Sequence, residues 1–151
     1  MTADPSSRRV RECHEALLEE ALTHRIIGAF YDVYNSLGYG FLEAVYARAL
    51  EVELARRGLH VAREVSINVR YADEIVGQYR AALVVENCVI VELKAHRVLA
   101  TPDRAQLLNC RRASDLEVGL LLNFGVRPAF LRVVSSNEVA ARRRDPWKSP
   151  V

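Results

Sequence analysis

Cysteine is scarce in this chain of 151 residues, which has three, Cys13, Cys88 and Cys110, with no close spacing among them. An odd, scattered set excludes both a disulfide framework and a cysteine-built zinc site, so reduced structural thiols are expected, with Cys88 near a turn. Long apolar runs are missing too. The most hydrophobic segments fall well short of the ~20 residues that cross a bilayer, and the polar start from Met1 to Arg11 lacks the apolar stretch of a secretory signal. The expectation is a soluble, cytoplasmic protein. Net charge is nearly absent, because 21 Lys and Arg against 19 Asp and Glu leave +2. That total does not demand a polyanionic partner, although the basic residues crowd into a few places. Internal repeats are absent as well.

Apolar residues, by contrast, make up 50% of the chain, enough for one domain with a substantial core and no second domain. Residues 1–11 read as a disordered polar tail, 12–137 as the single domain, and 138–151 as a basic tail containing Arg142, Arg143, Arg144, Trp147 and Lys148. Apolar positions at helical spacing, among them Ile26, Ile27, Phe30, Val33, Tyr34 and Leu37, predict a helix from about Glu12 to Leu37. A second helix is expected from about Leu42 to Arg57, closed by Gly58. After Gly58 the period shortens to two, and Val61 to Tyr71, Ile75 to about Val85 and Cys88 to Leu93 predict a strand meander with a tight turn at Glu86-Asn87. A helix over about Asp103 to Ser114 follows, then a buried strand from Glu117 to Asn123 and a last strand from Phe130 to Val134. A helix between the hairpin and a buried strand implies a crossover. The expected fold is therefore α/β: a mixed central sheet, an antiparallel meander plus a parallel strand, flanked by helices.

The strongest chemical signal lies in the hairpin Tyr79-Arg80-Ala81-Ala82-Leu83-Val84-Val85-Glu86-Asn87-Cys88-Val89-Ile90-Val91-Glu92-Leu93-Lys94. Alternation along a strand puts Ile90, Glu92 and Lys94 on one face and Val89, Val91 and Leu93 on the other. A carboxylate and an ammonium thus leave one strand end together. On an exposed edge such a pair is a solvated contact of little energetic weight. Here both charges end a strand apolar enough to be buried on both faces, which favours a functional pair. Metal-assisted phosphodiester hydrolysis uses such a set, the acid for a divalent cation and the Lys for the attacking water.

With the segments Leu37-Gly38-Tyr39-Gly40-Phe41-Leu42-Glu43-Ala44-Val45-Tyr46, Ala49-Leu50, Val91-Glu92-Leu93-Lys94-Ala95, Ala105-Gln106-Leu107-Leu108-Asn109 and Gly119-Leu120-Leu121-Leu122-Asn123-Phe124-Gly125 in this order, the chain resembles the GxxExxR family of the PD-(D/E)XK nuclease-like superfamily over roughly residues 22–134. The resemblance implies a restriction-endonuclease-like core and a magnesium- or manganese-dependent nuclease, a phosphodiester hydrolase acting on nucleic acid. Carried over by position, Glu92 and Glu43 would face the metal, Lys94 the water, and Gln106 would support them. The hairpin Asp of that pattern falls on Ala82, and Cys110 stands where the family tends to have Tyr.

The hole at Ala82 carries weight, since magnesium is typically anchored by one or two carboxylates, with water and phosphate completing its shell. Loss of a positioning group commonly costs on the order of 10²-fold in rate. Cleavage is accordingly expected to be weak or absent. Three origins are open: a natural binding-only member, an engineered inactive variant, or a carboxylate displaced to Glu86. The last is the weakest, because Glu86 lies roughly 13 Å along the strand at the turn end. Arg80, His96, Arg104 and Arg111, with Arg97 and Arg112, are candidates for phosphate contacts, against the plain alternative of exposed basic residues. Tyr46 and Tyr79 are expected either to bound the cleft or to pack in the core. A non-catalytic nucleic-acid- or protein-binding regulatory module is the alternative function. A homodimer and a protein partner stay open.

Overall fold

The computed structural model describes the backbone of residues 5–114, 116 and 118–134, with side chains from residue 20 onward within that range. The basic C-terminal tail expected from residue 138 lies outside the described residues. Helix α1 (Pro5–Leu37) starts earlier than the expected Glu12, at a proline whose missing N–H is of no consequence in a first turn. It thereby takes in part of the segment read as a polar tail. Ile26, Ala29, Phe30 and Val33 recur at helical spacing and are buried. Helix α2 (Glu43–Arg56) buries Tyr46, Leu50 and Leu54, one residue per turn. It closes in a Schellman motif: Leu59 N–H donates to the Leu54 carbonyl and Gly58 N–H to the Ala55 carbonyl, both at 3.0 Å. The motif places Gly58 at φ 79°, a conformation open to glycine, and tucks Leu59 into the core.

Strands β1 (Val61–Tyr71), β2 (Glu74–Val85) and β3 (Val89–Lys94) form the expected meander. At the second turn Glu86 and Asn87 both have φ 53°, and Cys88 N–H donates to the Val85 carbonyl at 3.0 Å, the geometry of a type I′ turn. Glu86 tolerates that conformation with help from both ends. Its N–H donates to the His60 carbonyl at 2.8 Å and its carboxylate accepts the His60 N–H at 2.6 Å. Glu86 is therefore engaged at the turn and does not substitute for a carboxylate at Ala82.

Helix α3 (Thr101–Ala113) carries the chain over to β4 (Val118–Phe124), which lies parallel to β3, and β5 (Pro128–Val134) returns antiparallel to complete the order β1-β2-β3-β4-β5. The mixed sheet is thus as the sequence implies. Helix α3 begins two residues before the expected Asp103 because Pro102 sits in its first turn rather than in a loop before it. Alternation sorts the two faces. Val89, Val91, Leu93, Leu120 and Leu122 pack with α1 and α2, while Ile90 and Leu121 pack with Leu107 and Cys110 of α3. With both faces covered, β3 and β4 can be apolar up to their carboxyl ends, where Glu92 and Lys94 of β3 and Asn123 of β4 are the polar exceptions.

Candidate active site

Strands β2 and β3 are paired only from Val85↔Val89 to Leu83↔Val91. Beyond that point β2 parts from β3. The β1–β2 ladder passes from Arg63↔Leu83 to Val65↔Ala81, with Glu64 at φ 47° between them, so Ala82 belongs to neither set of paired residues. Freed from the ladder, its main chain lies near enough to the Glu92 carboxylate to favour the ionised form. The sequence position expected to hold an acid is therefore a main-chain neighbour of the acid of the next strand.

Glu92 is only 4% exposed. Burial pushes its carboxyl up from the ordinary 4.5 to about 7, and the charge of Glu43 adds to the rise, whereas Lys94, the Ala82 main chain and the Cys110 thiol oppose it. Cys110 Sγ lies 3.7 Å from Glu92 Oε1. Burial first, and Glu92 second, push that thiol up to about 12, so it stays protonated and donates. Glu43 opens α2 at the surface, and Lys94 ends β3 half-buried, opposite Asn123 of β4. Glu92, Lys94, Ala82, Cys110 and Glu43 thus interact around one strand end. Gln106 is half-buried one helical turn before Cys110, on the same side of α3.

The Tyr46 hydroxyl places Glu43. It accepts the Phe41 N–H at 3.2 Å and donates to the Gly38 carbonyl, fixing the loop that leads into α2. Its ring stacks on Phe124 with centroids 4.3 Å apart. Tyr46 is core, with its hydroxyl satisfied, and does not bound a cleft. In the spacing Gly40-x-x-Glu43, the next position three residues on is this Tyr46 and not an Arg.

Other expected contacts separate. His96 Nδ1 lies 3.1 Å from Asp103, while its main chain is held by Asn123, whose Oδ1 accepts the His96 N–H at 3.1 Å and whose Nδ2 donates to the His96 carbonyl at 2.9 Å. Arg80 is exposed and lies 3.8 Å from Glu64, and Arg104 is exposed on α3. Arg111 corrects the sequence reading: it is buried against the sheet side of α3, because its position follows Cys110 in the helix stripe, and it presents no surface for phosphate. Tyr79 is exposed on the far part of β2.

Two residues escaped the sequence reading. Asp103 is buried, and although burial raises its pKa, the Ala100 N–H, His96 and the charge of Lys94 hold it below the ordinary carboxylate range. It accepts the Ala100 N–H at 2.9 Å, half of a capping box. Asn123 is the other, and its signal was visible: a lone amide ending an apolar strand.

A divalent cation does not fit this donor set. The one buried acid is half-protonated near neutrality, position 82 brings no second carboxylate to it, and among the described residues no three His, Cys, Asp or Glu side chains cluster as a metal site. What the arrangement does offer is a buried proton-holding carboxyl beside an ammonium.

No curated protein and no solved structure matches the chain. The profile described as PD-(D/E)XK nuclease superfamily matches residues 20–133, from the middle of α1 to the end of β5. With that match over most of its length, and with Glu92-x-Lys94 at the end of a central strand of a mixed sheet, the chain belongs to the PD-(D/E)XK nuclease superfamily.

Proposed function

We propose that the protein is a nuclease-fold protein directed at nucleic-acid phosphodiesters, in which cleavage is impaired or lost because Ala82 replaces the hairpin acid. The observation that carries this reading is the nearness of the Ala82 main chain, where β2 leaves its paired register, to the buried Glu92 carboxylate. A carboxylate at position 82 would stand beside Glu92, with Glu43 close enough to be felt, and would supply the second anchor that magnesium or manganese needs. Without it, Lys94 remains to bind phosphate and to counter the charge of Glu92, and Gln106 remains within the same helix stripe. Gly40 and Glu43 keep the chain near the GxxExxR branch, with Tyr46 at the place where that name has Arg.

The test compares the protein with Ala82→Asp and Ala82→Asp/Lys94→Ala variants on single- and double-stranded DNA and RNA with magnesium or manganese. Cutting should appear with the Asp substitution and vanish again when Lys94 is replaced. The second reading, a binding module without chemistry, is favoured by the half-protonated state of Glu92 near neutral pH. It predicts salt-sensitive affinity for nucleic acid that ignores the Ala82 substitution.

A further inference from the structure

We infer that the cleft between the β3–α3 loop and the β4–β5 turn receives a single unpaired nucleotide next to the phosphodiester addressed by Lys94. This rests on the nuclease-fold reading above. The cleft measures about 420 Å³, at the small end of the range for ligand pockets and suited to one nucleotide rather than a duplex. It opens where the parallel strands β3 and β4 end, since Lys94 and Asn123 are register partners and the next residues of each strand lead into its walls. In open α/β sheets, ligands bind in the crevice beyond the carboxyl ends of the strands.

The lining has two chemistries. Val98, Leu99, Val126 and Ala129 supply an apolar surface, and Arg97 and Arg127 flank it from the two loops. Both guanidiniums are exposed, and neither is ion-paired with a described residue. Cations that track the backbone are one part of single-strand recognition, and a face for the base is the other, supplied here by aliphatic rather than aromatic side chains. A base inside a duplex offers its face to its neighbours instead, so an occupant that uses this surface is unpaired.

The walls are also held in place. Asn123 grips the His96 main chain from both of its amide atoms, and Tyr34 of α1 donates to the Gly125 and Val126 carbonyls, each at 2.8 Å. Gly125 lets the loops touch, for a Cβ there would lie 2.5 Å from the His96 carbonyl oxygen and 3.1 Å from that of Arg97. Arg97 and Arg127 are therefore carried on loops tied to the core, which limits the ordering cost of binding.

The test measures fluorescence anisotropy of a labelled oligo-dT strand, a duplex of the same length and an oligo-glutamate peptide, all in EDTA so that cutting does not contribute. The strand should bind more tightly than the duplex or the peptide. Arg97→Ala/Arg127→Ala should weaken strand binding about tenfold or more and reduce the log–log salt slope by about 0.7 for each phosphate that the variant no longer neutralises. Ala129→Phe, which fills the cleft without changing charge, should weaken binding at an unchanged slope. Equal or tighter binding of the duplex or peptide overturns the inference. So does strand binding that neither the exposed arginine pair nor the filled cleft alters. If Ala82→Asp fails to cut while these variants bind the strand more weakly, the catalytic reading falls and the cleft stands. Restored cutting with unaffected binding overturns the cleft alone.

Discussion

Replacing Glu92 by Gln should make the protein more stable at alkaline pH, although it removes the best-placed acid of the candidate site. The carboxyl is raised by burial from 4.5 to about 7, so between these values the folded protein holds a proton that the unfolded chain has released. Stability is then fullest below the unfolded pKa and declines as pH rises through the folded one. A tenfold difference in proton affinity between the two states is worth about 1.36 kcal/mol, giving roughly 3 kcal/mol over the whole window and about 2.5 kcal/mol between pH 5 and pH 8. Glutamine is nearly isosteric and does not titrate. Urea unfolding of both proteins at the two pH values isolates the group, because other titrations cancel in the comparison. With a urea m-value of about 2 kcal/mol/M, the gain of Glu92→Gln over the parent from pH 5 to pH 8 should exceed ~1 M in midpoint. A difference between the two proteins that is flat with pH would refute the reasoning. It would mean that Lys94 and the Ala82 main chain already hold Glu92 ionised.

Three further outcomes test the supports of the site. Asn123→Ala should cost about 2–3 kcal/mol in urea unfolding, since it strips two hydrogen bonds from the buried contact with the His96 main chain. Gly125→Ala should destabilise by about 1–3 kcal/mol, seen as a lower Tm, because its Cβ would meet backbone oxygens that have no room to yield. A Tm equal to the parent's would show that the two loops do not approach as described. Tyr46→Phe keeps the stacked ring but leaves the Gly38 carbonyl and Phe41 N–H without their partner, and should lower unfolding stability by about 1–2 kcal/mol.

Much of this site is legible in the sequence. Period-two alternation puts Glu92 on the same face of β3 as Ile90, where Cys110 of α3 meets it, and the apolar run between turn signals marks β4 as its buried neighbour. The helix between them makes the parallel pairing a consequence of topology. Properties that depend on distant partners are not legible there. Nothing local distinguishes Arg111 from an exposed arginine, yet the stripe that buries Cys110 buries it too. Tyr46 is ambiguous until its hydroxyl meets the Gly38 loop. Asp103 reads as a helix-start acid and becomes more than that only when His96 and Lys94 approach from the end of β3. The break in the ladder at Ala82 depends on Glu64, on a different strand, adopting a positive φ.

The interplay between Ala82 and Glu92 also implies a proton. A second acid at position 82 would raise the Glu92 pKa further in the absence of a cation, and a bound cation would reverse the rise. The central claim is that one side chain separates this chain from the chemistry of its superfamily. Its most direct measurement is magnesium- or manganese-dependent cleavage of labelled DNA and RNA by the Ala82→Asp variant beside the parent protein. Cutting by the variant, abolished by adding Lys94→Ala, is the expected result. An Ala82→Asp protein that folds, binds no cation and cuts none of these substrates would contradict it.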